Sequence, residues 1–301
     1  MPRSQSLRFA FALMLILTCA RFVIAQNEAT DTAVKYSYGP PINFPGASDT
    51  YAYAINNKSE VVGFYTGDGC PQSACGFIEI KSKFTSIECA VENATEVFDI
   101  SNKGEIIGAY AFVTGVNGFI LEGNSSCFSL GDSSFNPPLT EAYGVNDSGT
   151  VVGFYQDASG NYQGFEYVNG KYTTISCAGF TDTRALGIND AGVIVGDVWN
   201  TSTERSGFLY KSGKCTTLDY PKAPSTTAVG TNKSGQISGW YVDSSGTIHG
   251  FVKTGGHFQA LNYHKAFATF AFHLNDAGKV AGFYQAVANG PVSGFVATPK
   301  K

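Results

Sequence analysis

From about residue 48 onward the chain is a succession of short apolar runs, several of them alternating with polar residues, broken by Gly, Asn, Asp and Ser. Runs of this length and punctuation predict β-strands, and no helix is expected. One phrase recurs six times. It first reads Ala54-Ile-Asn-Asn-Lys-Ser-Glu-Val-Val-Gly63, and its counterparts end at Gly108, Gly153, Gly196, Gly239 and Gly282. These glycines are spaced 45, 45, 43, 43 and 43 residues apart, and a Gly-Phe pair follows each, from Gly76-Phe77 to Gly294-Phe295.

Each unit reads as four strands, A to D. Strand A ends in Gly-Ile-Asn or an equivalent, and a turn such as Asn189-Asp-Ala-Gly192 reverses the chain. Asn or Asp starts such a turn through its side chain, and Gly takes the positive-φ position. Strand B is Val-Ile-Val-Gly-like, strand C begins at Gly-Phe, and strand D resembles Tyr172-Thr-Thr-Ile175. Six copies of four strands predict an all-β fold, a six-bladed β-propeller of four-stranded antiparallel blades. The units fall at about 48–93, 94–138, 139–179, 180–224, 225–266 and 267–301, within one domain spanning 26–301.

The sixth unit lacks a strand D. The N-terminal segment Ile42-Asn-Phe-Pro-Gly-Ala47, within 33–47, is expected to supply it and close the ring. Along strand A, strict alternation puts Ala52 and Ala54 on one face and Tyr53 on the other, with counterparts in every unit. That pattern predicts blades pressing a large face onto a small one.

Composition adds an address. Residues 1–25 read as a secretory signal: Arg3 and Arg8, then an apolar run from Phe9 to Ala20, then a cut ahead of Gln26. The run is too short for a membrane span. With the leader removed, 17 Lys+Arg face 24 Asp+Glu, a net charge of −7, and no basic stripe suited to nucleic acid is present. A secreted protein, extracellular or periplasmic and monomeric, is expected.

The repeats resemble the HAF family of extracellular bacterial repeat proteins. The resemblance rests on Thr181-Asp-Thr-Arg-Ala-Leu-Gly-Ile-Asn-Asp-Ala-Gly-Val-Ile-Val-Gly196 and on Ile42-Asn-Phe-Pro-Gly-Ala47, and it covers nearly the whole mature chain. It implies export and a repeated β-architecture, and carries no catalytic residues with it. Ser101 in place of the usual Asn, Ser59 in place of the turn Gly, and the cysteines depart from the pattern.

Six cysteines remain after Cys19 leaves with the signal, allowing 15 disulfide connectivities. Cys70 and Cys75 share one B–C loop. Cys127 and Cys215 occupy the first strand-D position, Cys89 and Cys177 sit two places beyond that strand's Ile, and both intervals are 38 residues. Aromatic pairs, Tyr220 with Phe258 and Phe44 with Phe84, fill the same positions elsewhere. The pairing expected is Cys70–Cys75, Cys89–Cys127 and Cys177–Cys215, although strict register puts the partners of the last two at opposite ends of strand D.

Motifs for turnover are scarce. The chain has no nucleophile elbow, no zinc-protease helix motif, no phosphate loop and no dinucleotide fingerprint. No cofactor or metal is expected: the four histidines lack ligand spacing, and Asp157-Ala-Ser-Gly-Asn161 and Asp243-Ser-Ser-Gly-Thr247 read as hairpin turns. Triplets of the form Asn-x-Ser/Thr at Asn57, Asn93, Asn124, Asn146, Asn200 and Asn232 arise easily in so polar a chain. Binding of a glycan or a protein partner is favoured over catalysis. A hydrolase or lyase acting on polysaccharides through carboxylates is the alternative.

The expected site is the mouth where the A strands begin. Their first residues are Tyr51, Glu96, Glu141, Arg184, Thr227 and Phe270. Carboxylates and an Arg beside aromatic rings suit a sugar, and paired carboxylates suit acid–base cleavage. Asp99 and His273, standing where other units have Gly or Ala, are secondary candidates.

Overall fold

The computed structural model describes residues 34–89, 94–122, 126–131, 139–201 and 204–300. The expected leader, 1–25, lies outside them. Six four-stranded antiparallel sheets surround an axis, with strand A of each sheet innermost in sequence order A-B-C-D. The A strands are Asp49–Ile55, Ala94–Ile100, Thr140–Val145, Asp182–Ile188, Ser225–Thr231 and Ala268–Leu274, in blades 1 to 6. The fold is a six-bladed β-propeller. No helix of the described residues is long and apolar enough to cross a membrane.

The ring closes through the N-terminus, within the expected 33–47 but ahead of the phrase Ile42–Ala47 expected to form the strand. Tyr36–Tyr38 is the fourth strand of blade 6, pairing antiparallel with Val292–Pro299, and Tyr38 lies opposite Ala297. Of residues 42–47, only Ile42 joins the ladder, through an isolated bridge to Gly294. Pro40 and Pro41 separate the two pieces and have no N–H to give the ladder.

The face alternation along strand A also differs from expectation. Every A–B pair slips register around the third apolar position, between Ala52 and Ala54 in blade 1, between Ala142 and Gly144 in blade 3, and so on. This β-bulge inserts one residue and turns the strand over. Ala52 therefore meets Gly294 of the preceding blade, while Gly144 and Gly187 face the blade that follows each. The bulged residues Tyr53, Phe98, Leu186, Val229 and Phe272 join one apolar cluster, with Tyr143 against it. Rings of Tyr53 and Phe272 are 4.2 Å apart, and those of Phe98 and Tyr143 are 4.3 Å apart.

The bulge explains the six repeat glycines. A Cβ on Gly63 would lie 1.8 Å from the carbonyl oxygen of Tyr51, and one on Gly153 would lie 1.9 Å from that of Glu141. Only glycine leaves room for that carbonyl.

Blade seams carry their own staples. The structure joins Cys89 to Cys127, Cys177 to Cys215 and Cys70 to Cys75. Register is no obstacle, because the linker after strand D crosses the seam and carries Cys89 and Cys177 to strand D of the next blade. The backbone N–H of Cys89 donates to Thr95 Oγ1, that of Cys177 to Thr183 Oγ1, and that of Tyr220 to Thr226 Oγ1. Where cysteines are absent, rings meet: Tyr220 with Phe258 and Phe44 with Phe84 at 5.3 Å, and Tyr38 with Tyr263 at 4.9 Å. Three disulfides fit an oxidising, extracellular environment.

Candidate functional site

At the upper mouth, the A strands begin one or two residues earlier than expected, and each residue expected to come first lies opposite the residue after a repeat glycine on strand B. The pairs are Tyr51 with Phe64, Glu96 with Ala109, Glu141 with Phe154, Arg184 with Asp197, Thr227 with Trp240, and Phe270 with Phe283. The bulge carbonyl locked over each glycine sets this register.

Arg184 and Asp197 form the most ordered part. Asp197 is fully buried and accepts from Arg184 Nε at 2.9 Å, Arg184 Nη2 at 2.6 Å, Arg205 Nη1 at 3.0 Å and Thr227 Oγ1 at 3.2 Å. Burial alone would raise the Asp197 carboxyl, but Arg184 and Arg205 together hold it below the usual carboxylate range. The Arg184 guanidinium lies 5.4 Å from the Phe154 ring centroid and 5.3 Å from that of Trp199, and Arg205 stacks on Trp199 at 4.0 Å.

Glu96 and Glu141 are different. Neither carboxylate has a hydrogen-bond partner among the described residues. Burial pushes Glu96 up to about 8, and the neighbouring Glu141 charge adds to the rise. Burial pushes Glu141 up to about 7, with Arg184 opposing it. The Tyr51, Tyr53 and Tyr143 phenols lie in the same field, since Glu96 raises all three. Aromatic contacts run on around the mouth: Tyr51 on Phe64 at 4.5 Å, Phe154 to Tyr162 at 5.4 Å, Tyr162 to Trp199 at 5.7 Å, and Trp240 to Phe270 at 5.7 Å.

Tyr51, Glu96, Glu141, Arg184 and Phe270 thus gather at one mouth, with Phe270 itself buried. Asp197, Trp199, Arg205 and Tyr162 were not anticipated from the sequence. A signal for Asp197 exists: it is charged, and follows a repeat glycine where other units have Phe, Trp or Ala. Arg205 likewise stands two places before Gly207-Phe208, where the other units carry Ala, Val, Tyr or Ile.

Asp99 and His273 do not join this mouth. Beyond the bulge they lie at the other end of the channel, where His273 Nδ1 is 3.7 Å from Asp99 Oδ2. Asp99 also accepts from the backbone N–H groups of Val145 and Ile100, at 2.9 and 2.8 Å. Both line a polar depression among the A–B turns. Two concentric rings of side-chain bonds build its rim. Asn56 Nδ2 donates to Ser101 O, Asn146 to Asn189 O, Asn189 to Asn232 O, Asn232 to Asn275 O, and Asn275 to Asn56 O. Outside them, Asn102 accepts from the Asn57 N–H, Asp147 from Asn102, Asp190 from Asp147, Asp276 from Lys233, and Asn57 from Asp276. Each Asn also holds its own turn, as Asn189 Oδ1 does for the N–H groups of Ala191 and Val193. Asn146 and Asn232 are buried and held by these bonds, so their Asn-x-Ser triplets are structural.

Asp157 and Asp243 cap hairpin turns as expected, accepting from Ser159 and Asn161, and from Ser245 and Thr247. His249 sits between Asp243 and Asn262, at 2.9 and 3.0 Å.

No protein-family model and no curated protein sequence matches the chain. Several solved structures share its fold. SapL1 lectin, in complex with alpha methyl fucoside, superposes with a TM-score of 0.55 at 11% identity, covering 83% of this chain and 93% of that one. The lectin of Aleuria aurantia, in complex with Fucalpha1-6GlcNAc, gives 0.50 at 11% identity, covering 86% and 98%. TolB from Acinetobacter baumannii gives 0.56 at 8% identity, covering 79% and 63%. At these identities the likeness is one of fold, and the fold alone does not assign a ligand.

Proposed function

We propose that the protein is a secreted, HAF-type bacterial propeller that binds a glycan at the upper mouth. The carrying observation is the mouth itself: two unpartnered carboxylates, Glu96 and Glu141, set in a wall of aromatic rings beside an Arg184 held in place by Asp197. Rings offer flat apolar faces to a sugar, while carboxylates and guanidinium bond its hydroxyls. The lectins named above, which share the fold and were solved with fucosides, support a glycan over a protein ligand. An immobilised-glycan panel tests the proposal, with the Glu96→Gln, Glu141→Gln double variant as control. Binding that the double variant lowers at least tenfold is expected. A ligand whose affinity the double variant leaves unchanged sits elsewhere.

A second reading, cleavage of a polysaccharide, draws on one observation. With Glu96 raised to about 8 and Glu141 to about 7, one carboxyl keeps its proton at neutral pH while the other is substantially ionised, as general acid and base require. Release of reducing ends or unsaturated products from the panel's polysaccharides, lost in either single Gln variant, would favour this reading.

A further inference from the structure

Arg184 and Arg205 share one counter-ion and use it unequally. Arg184 grips Asp197 with Nε and Nη2, the fork edge of its guanidinium, at 2.9 and 2.6 Å. Arg205 reaches the same carboxylate through Nη1 alone, at 3.0 Å. The fork of Arg205, its Nε and Nη2, has no partner among the described residues. Its side chain is 25% exposed, whereas Asp197 is fully enclosed.

Two cations on one carboxylate leave this cluster with a surplus positive charge. Burial and the Arg184 charge hold Arg205 below the usual guanidinium range, with Asp197 opposing them. A second carboxylate at the free fork relieves that crowding. The buried Trp199 ring lies under the Arg205 guanidinium at 4.0 Å, so the fork is held against a fixed plane before any ligand arrives. Tyr162, half-buried and 5.7 Å from Trp199, adds a ring that a sugar can reach. The acidic groups of the rim leave the fork free. Burial pushes Glu96 up to about 8 and Glu141 up to about 7, so both are largely uncharged at pH 6. Asp182, opposite Trp199 in the ladder, accepts from the Tyr162 N–H at 2.9 Å and from Thr181 Oγ1 at 2.8 Å.

We infer that the mouth takes a glycan containing uronic acid, its carboxylate held in a bidentate bond by Arg205 Nε and Nη2 and its ring beside Tyr162. This rests on the glycan reading above and narrows it. The two N–H groups of a guanidinium edge match the two oxygens of a planar carboxylate. A neutral sugar has no charge to set against the surplus cation, and an amino sugar brings another cation to it.

Oligogalacturonate makes the test sharp, since full methyl esterification removes its charge and keeps its sugar rings. Isothermal calorimetry would be run at pH 6 on the mature, disulfide-bonded chain. The probes are the acidic hexamer, its methyl ester, a de-N-acetylated chitohexaose and an oligoglutamate of matched charge. The expected result is at least tenfold tighter binding of the acidic hexamer than of its ester. That preference should largely vanish in Arg205→Gln and in Arg205→Lys, whose folds circular dichroism would verify. In both, Asp197 keeps its two bonds from Arg184, and the lysine keeps the charge while losing the fork. A preference that survives both variants moves the carboxylate to another group and overturns the assignment. Equal affinity for the acidic hexamer and its ester, which needs no variant to measure, overturns the uronate inference and leaves the glycan reading standing. Tightest binding of the amino sugar does the same. Binding of oligoglutamate with no glycan bound overturns both.

Discussion

Asp197 lies between two guanidinium groups, bonded to Arg184 through both oxygens at 2.9 and 2.6 Å and to Arg205 at 3.0 Å. Thr227 adds a fourth bond from the next blade at 3.2 Å. The cluster therefore ties blades 4 and 5 together while aiming Arg184 at Glu141. Asp197→Asn leaves two partly buried cations with no counter-charge, a change that costs about 3–5 kcal/mol when a buried ion pair is broken. Thermal denaturation should show a fall of roughly 5–10 °C. A fall of under 2 °C would mean that the bonds carry little energy.

Glu96 and Glu141 should make the protein less stable as pH rises. Below about pH 4.5 both folded and unfolded carboxyls are protonated, and neither opposes folding. Above that the unfolded chain gives up protons that the folded chain retains until about 7 and 8. Stability contributed by the neutral carboxyls is therefore lost between pH 4.5 and 8. The charged and titratable groups around the pair are Arg184, Tyr51, Tyr53, Tyr143 and Tyr162. Glu96→Gln, Glu141→Gln should match wild type near pH 4.5 and melt several degrees above it at pH 8. A constant difference across that range would count against the shifts.

The inner Asn ring predicts an asymmetric pair of substitutions. Asn189→Ala removes the bond to Asn232 O at 3.0 Å and two bonds within its own turn. The loss should be about 2–3 kcal/mol, since buried partners are left unmet. Ser101 is the one ring member too short to reach the next blade, its Oγ instead accepting from the Glu105 N–H at 3.1 Å. Ser101→Asn should complete the ring to Asn146 O and add about 1 kcal/mol. Urea denaturation reads both, and a destabilised Ser101→Asn would mean that the neighbouring Asp99 carboxylate has claimed that space.

Much of the architecture could be read before any coordinates, because it is periodic. Gly63 to Gly282 count the blades, and a shared interval of 38 residues identifies Cys89 with Cys127 and Cys177 with Cys215. What period could not reveal is the bulge, since one inserted residue reverses every later side chain without altering composition. Strict alternation puts Asp99 on the face opposite Glu96; the bulge between them brings it back to the same face, but three residues further along the strand, at the other end of the channel. Asn56, Asn146, Asn189, Asn232 and Asn275 read correctly as turn formers, but their second bond runs to a residue 43 to 219 positions away. Nothing local signals it. Asp197 is not marked by the strand-A pattern, because its slot opposite Arg184 lies on strand B.

Cross-linking between blades should matter more than the loop disulfide. Cys177–Cys215 spans 38 residues and joins blades 3 and 4, whereas Cys70–Cys75 spans 5 within one loop. Loop-closure entropy assigns about 3–4 kcal/mol to a span of this length and less to the short one. Replacing Cys177 and Cys215 with Ala should lower the melting temperature more than replacing Cys70 and Cys75. The reverse order in differential scanning calorimetry would show that local strain or packing outweighs chain entropy here.

Closure of the ring gives the last prediction. Tyr36–Tyr38 pairs with the final strand, and Tyr38 packs edge-on against Phe295 at 5.5 Å and Tyr263 at 4.9 Å, so one short segment spans blades 5 and 6. Ile42 adds two backbone bonds to Gly294, at 2.8 and 3.0 Å, and Phe44 stacks on Tyr65 of blade 1 at 3.7 Å. Deleting residues 34–44 therefore exposes the edge of strand C in blade 6 and opens two seams at once. An exposed edge invites pairing with another chain. The truncated protein should melt well below full length and associate with itself as concentration rises, which light scattering would follow. Two milder variants separate the contributions. Tyr38→Ala should loosen the 5–6 seam alone, and Phe44→Ala the 6–1 seam alone, each by about 2–4 kcal/mol for a lost ring in a packed seam. If the deletion melts within a degree or two of full length and stays monomeric, the sixth blade does not need its N-terminal strand, and the closed ring is not what holds the propeller together.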